Sequence, residues 1–135
     1  MSKLGRYGAD RKKVEALTAS KTLGEASCGT VYTVVGDAAI TISLPDIATA
    51  GKGWWIKVIK TGAASGGQDV TISVTDDDGD AFMGVELSPT HAVMNGDNIV
   101  IEDAANKGTQ VEILCDGTYW HCLAFSVLAA GITIG

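Results

Sequence analysis

The sequence predicts an all-β domain: an antiparallel β-sandwich or barrel of about eight strands, with an extended N-terminal arm in front of it. Three observations predict it. Apolar and polar residues alternate with period two along much of the chain, most cleanly in "DVTISVT", where Val70, Ile72 and Val74 face one way and Thr71, Ser73 and Thr75 the other. Turn signals separate the alternating runs: Gly36-Asp37, Gly51 to Gly53, "TGAASGGQ", "DDDGD", Asn95-Gly96-Asp97 and Asp116-Gly117. Helix signals are weak, and the spaces between runs leave no room for the helical crossovers that parallel strands ordinarily use.

Taken in order, residues 1–13, "MSKLGRYGADRKK", form the arm, and residues 14–135 form the β domain. "DRKKVEAL" has the length of about two helical turns, marginal in isolation, and Val14, Ala16 and Thr18 suit a strand nearly as well. The strand runs that follow are "VYTVV" (31–35), "AITISLP" (39–45), "WWIKVIK" (54–60), "DVTISVT" (69–75), "GVEL" (84–87), "NIVIE" (98–102), "TQVEILC" (109–115) and "YWHCLAFSV" (119–127). In the second run Ile40, Ile42 and Leu44 alternate with Thr41 and Ser43, and Pro45 ends the ladder because it has no N–H to donate. "ITISLP" and "VTISVT" are alike and lie 30 residues apart, but fragments this short establish no repeat.

A chain of 135 residues is long enough for one domain with a real core. With 46% apolar residues but only 6% aromatic ones, that core has to be built from Val, Ile, Leu and Ala. No run approaches the ~18 apolar residues of a membrane span, and the first residues are too polar for a signal peptide, so a soluble, unexported product with no membrane partner is expected. Three cysteines without an export signal predict free thiols. Six cations against two acids give residues 1–21 a net charge of +4, whereas residues 22–135 hold four lysines against fourteen acids, a net of −10. A basic arm therefore precedes an acidic body. Such a body disfavours a nucleic-acid partner, since a phosphate-tracking groove needs clustered Lys and Arg.

"VEILCDGTYWHCLAF" (111–125) packs cysteine, histidine and tryptophan around an Asp-Gly turn. Whether the loop is 116–117 or 116–119, parity puts Val111, Ile113, Cys115, Trp120, Cys122 and Ala124 on one face, a core face. Glu112, Leu114, His121, Leu123 and Phe125 share the other. Cys122 and His121 thus point to opposite sides and cannot share a metal ion, and Cys115 and Cys122 are not directly opposite, as a disulfide would require. The cysteines read as small core residues, and neither a metal nor any other cofactor is expected.

"GTQVEILCDGTYWHCLAFSVLAAGITIG", with its Gly-x-x-Val-Glu strand, Asp-Gly-Thr-x-Trp hairpin and terminal Ala-Ala-Gly-Ile-Thr segment, resembles the C-terminal end of small tailed-bacteriophage virion proteins. Upstream, "GTVYTVVGDAAITISLP" followed by "GWWIKVIK" resembles the earlier part of the same pattern, and the likeness spans residues 17–135. The family comprises capsid decoration (cement) proteins and related head or fibre components, and the resemblance implies a β-rich, trimeric protein. It further implies binding to the outside of the capsid, across junctions of the major capsid protein, after synthesis in the host cytoplasm. The chain departs from the pattern at Cys115, His121 and Cys122, where polar or Tyr/Val-type residues are more usual, and the arm lies outside the likeness. The alternative is a head or tail fibre, or a receptor-binding module that takes carbohydrate.

No catalytic constellation is legible: His91 and His121 have no nucleophile and orienting group that the sequence places beside them, and no enzyme activity is expected. The run Asp76-Asp77-Asp78-Gly79-Asp80 lacks the glycine and glutamate of an EF-hand loop, whose places hold Ala81 and Leu87, and reads as a solvated turn. The candidate capsid-docking residues are Arg6, Arg11, Lys12 and Lys13, facing acidic capsid groups. "WWIKVIK" is apolar on both faces, Trp54, Ile56 and Val58 against Trp55 and Ile59, so Trp55 and Ile59 are the candidate subunit-interface residues. In the carbohydrate-binding alternative, Trp55 would be the stacking platform.

Overall fold

The computed structural model describes residues 11–62, 68–74, 82–87 and 92–134. Among them are twelve strands: β1 (Lys13–Leu17), β2 (Lys21–Thr22), β3 (Thr30–Val34), β4 (Ile40–Ser43), β5 (Trp55–Lys60), β6 (Val70–Ser73), β7 (Phe82–Leu87), β8 (Ala92–Gly96), β9 (Asn98–Ile101), β10 (Gln110–Cys115), β11 (Trp120–Phe125) and β12 (Ile132–Ile134). They form two sheets, a large one in the order β1-β3-β5-β10-β11-β7-β8 and a small one in the order β12-β9-β6-β4-β2. The all-β sandwich is as the alternation predicts. The eight runs read from the sequence are β3 to β7 and β9 to β11; β1, β2, β8 and β12 are additional, and β1 settles "DRKKVEAL" as strand rather than helix.

Pairing departs from the antiparallel expectation. Five of the ten strand pairings are parallel: β1 with β3, β3 with β5, β2 with β4, β4 with β6, and β7 with β11. Through β6 the chain alternates between sheets, so that β1, β3 and β5 stack in one and β2, β4 and β6 in the other. In four of the five parallel pairings, all but β7 with β11, the crossover is thus a strand of the facing sheet. No helix is needed, which is why counting room for helices misjudged the topology. The likeness of "ITIS" and "VTIS" has its explanation here: β4 and β6 pair in register, Thr41 on Thr71, Ile42 on Ile72 and Ser43 on Ser73, as successive turns of one coil.

Antiparallel strands complete each sheet, β9 on β6 and β10 on β5. Rows of interior residues then run across the strands: Ile40, Val70 and Ile101, with Ile42, Ile72 and Ile99, in the small sheet, and Tyr32, Val58, Val111 and Ala124 in the large one. All are buried in one cluster that both sheets share. Burying each aliphatic side chain of this size is worth about 1.5–3 kcal/mol, so these rows hold the sheets together. Trp54 and Trp120 close the core edge-to-face, centroids 5.4 Å apart, and the indole N–H of Trp54 donates to the Gly24 carbonyl at 3.2 Å. β4 ends before Pro45, and Asp46 caps the single turn α1 (Ile47–Ala50) by accepting from the Thr49 N–H at 2.7 Å. Among the described residues no helix is long and apolar enough to cross a membrane.

Candidate functional site

Alternate residues of β5, β10, β11 and β7 point away from the core, and the registers align them into three rows across the outer face of the large sheet. These rows are Trp55, Leu114, His121 and Met83; Lys57, Glu112, Leu123 and Val85; and Ile59, Gln110, Phe125 and Leu87. The face divides into two halves. Toward β11 and β7 it is apolar, and Met83, Val85, Leu87, Leu114, Leu123 and Phe125 are each between 38% and 44% exposed. Toward β5 and β10 it mixes one aromatic ring with charges.

In that mixed half lies an open cleft of about 310 Å³ lined by Lys12, Trp55, Lys57, Glu112 and Leu114. Lys12, just ahead of β1, holds its Nζ 5.8 Å from the centroid of the Trp55 ring, within the range of a cation–π contact. The far edge of the indole passes over Gly29, where a Cβ would sit 3.9 Å from Trp55 Cζ2. Lys57 and Glu112 are direct cross-strand partners, yet among the described residues neither side chain has a hydrogen bond or an ion pair. Beyond the row of Ile59, a second cavity of about 250 Å³ is lined by Leu87, Lys107, Gly108, Thr109, Phe125, Ser126 and Val127.

The β10–β11 hairpin has a four-residue loop, 116–119, because Cys115 pairs with Trp120. Positive φ is confined to Gly117, and the side chain of Asp116 organises the turn: its Oδ1 accepts the N–H groups of Thr118 and Tyr119, both at 2.7 Å. Its Oδ2 lies 2.6 Å from Nε2 of His121. His121 is exposed while Cys122 is buried on the opposite face, and burial pushes the Cys122 thiol up, away from the reactive thiolate. Cys115 is buried, Cys28 is exposed, and all three thiols are free. Elsewhere the carboxylates of Asp69, Glu102 and Asp103 gather within 4.8 Å of one another, and Asp69 accepts the Asp103 N–H at 2.9 Å. Lys60 Nζ donates to the carbonyls of the same Glu102 and Asp103.

Of the residues singled out in the sequence, Arg6, His91 and Asp76 to Asp80 lie outside the described residues. Arg11, Lys12 and Lys13 are exposed, but Lys13 belongs to β1 rather than to an arm, and of the three only Lys12 lines the cleft. Trp55 and Ile59 are half-buried on the outer face, two rows apart. The buried cation Lys60 went unnoticed in the sequence, although it shares the parity of Trp54, Ile56 and Val58. No protein-family model matches the chain, and no curated protein matches it.

Proposed function

We propose that this protein is a structural component of a tailed-bacteriophage virion that decorates the capsid exterior, binding across junctions of the major capsid protein as a closed trimer. The observation that carries the reading is the apolar half of the outer face. Six large apolar side chains stand side by side on β10, β11 and β7 with nothing over them among the described residues. Contiguous exposed apolar surface of this kind marks an interaction site, because leaving it in water forgoes the free energy of burial. The resemblance of residues 17–135 to decoration proteins supplies the partner. No reaction is required: a protein that binds only the assembled shell stabilises that shell by mass action. Arg11, exposed ahead of β1, adds a cationic contact for acidic capsid groups.

Imaging of virions with and without the protein tests this. Decoration predicts many copies spread over the shell at subunit junctions, reduced by the paired variant Val85→Ser/Leu123→Ser and by removal of residues 1–11, with the melting temperature of the free protein unchanged. A few copies at one vertex or on the tail would instead identify a fibre component, and absence from the particle would end the proposal.

A further inference from the structure

We infer that the cleft at Trp55 is a binding site for a short saccharide carrying a carboxylate. Trp55 is set apart from the other two tryptophans, which pack against each other in the core at 2% and 0% exposure. Its indole lies half-buried on the outer face, with Leu114 beside it in the same row. An indole face is a platform for the C–H side of a pyranose ring, which is apolar although the ring edge is polar. Around it stand two ammonium groups, Lys12 and Lys57, and one carboxylate, Glu112.

The charges decide the ligand class. Lys57 and Glu112 are cross-strand neighbours, a placement that brings Cβ atoms to about 4.5–5.5 Å, yet among the described residues their side chains make no ion pair, and both line the cleft. Glu112 needs a donor, which sugar hydroxyls supply. Lys12 and Lys57 need acceptors, which hydroxyls and above all a carboxylate supply. A phosphate-rich ligand would satisfy the lysines but, with more charge on each group than a carboxylate, would be repelled more strongly by Glu112 and by the acidic body. An acidic peptide offers backbone N–H donors to Glu112 but, without a ring, no flat C–H face to lie on the Trp55 indole. The cleft volume of about 310 Å³ suits a ligand of one or two rings. Trp55 is thereby assigned to a ligand rather than to the subunit contact expected of it from the sequence, and the apolar half of the face is left to docking.

The test is titration of the full-length protein with digalacturonate and with N-acetylneuraminic acid, cellobiose serving as the neutral counterpart and tetraglutamate as the acidic peptide. Tryptophan fluorescence reports Trp55, the one indole at the surface, and calorimetry follows the variants. Saturable binding of the acidic sugars is expected, with cellobiose weaker by about threefold, the size of one solvent-exposed charge contact. Trp55→Ala abolishes the heat of binding, Trp55→Tyr retains part of it, and Lys57→Gln brings the acidic sugars toward the affinity of cellobiose. No saturable response to any sugar at about 20 mM, or binding that survives Trp55→Ala, overturns the assignment. Equal affinity for acidic and neutral sugars overturns the carboxylate requirement, and tetraglutamate binding in place of sugar overturns the ligand class. Capsid occupancy is a separate readout, so either proposal can fail while the other stands.

Discussion

Lys60 drives an ammonium into the interior, 1% exposed, where its Nζ donates to the carbonyls of Glu102 at 3.2 Å and Asp103 at 2.8 Å. Its stem runs so close to Gly36 that a Cβ there would sit 2.8 Å from Lys60 Cε. Lys60→Met keeps the stem and removes the donor from both carbonyls, and urea unfolding should show a loss of about 1–3 kcal/mol. That Lys60 points inward was legible from alternation along β5. Its partners were not, because they lie 42 and 43 residues away and only the fold brings them near. Asp116 makes a different prediction. The bond to His121, then those from the Tyr119 and Thr118 N–H groups, favour the ionised form and hold its carboxyl down to about 2 from an ordinary 3.8. A carboxyl depressed on folding stabilises fully above its unfolded value, and that contribution fades as pH falls from near 3.8 through about 2. The melting deficit of Asp116→Asn should therefore be present at neutral pH and shrink across that window; a deficit constant with pH would contradict it.

Among the elements, β7 depends on one glycine. Gly84 lies opposite Cys122 of β11 in a parallel pairing, and a Cβ at Gly84 would overlap the Cys122 carbonyl. Gly84→Ala must therefore displace backbone, and we expect it to destabilise by about 1–3 kcal/mol, against ~0.5 kcal/mol or less for Val85→Ala on the outward face. Thermal melts of the two variants check the contrast. Strand existence was largely legible, because alternation in "AITISLP" or "TQVEILC" is enforced by burial on one side. The two faces of the β10–β11 hairpin were legible for the same reason: Ile113, Cys115 and Trp120 are buried while Leu114, His121 and Leu123 are exposed. Strand direction was not, since a parallel and an antiparallel neighbour demand the same alternation. Only the stacked "ITIS" and "VTIS" carried that information, in four residues each. β2 and β12, at two and three residues, are too short to show a period at all.

For the whole molecule, one core serves both sheets, so the apolar half of the outer face is surface that the fold itself does not use. That face is the one proposed to dock on the capsid, and the trimer is an expectation that rests on the resemblance alone. Light scattering at micromolar concentration should give three times the 13.9 kDa chain mass, and a monomer would refute the trimer. The Trp55 cleft was only half legible: the aromatic position could be read from parity, whereas the meeting of Lys12, Lys57 and Glu112 depends on β5, β10 and the residue ahead of β1 coming together. The coil has a further consequence at its first turn. Among the described residues β1 and β2 are the outermost strands of their sheets, each with a single neighbour, so their far edges are where a foreign strand would be laid. Lys13, Glu15 and Lys21 stand on these strands, the last two joined at 2.7 Å. Pairing another strand edge to edge there would strip water from that charged rim, which disfavours strand-by-strand aggregation at these edges.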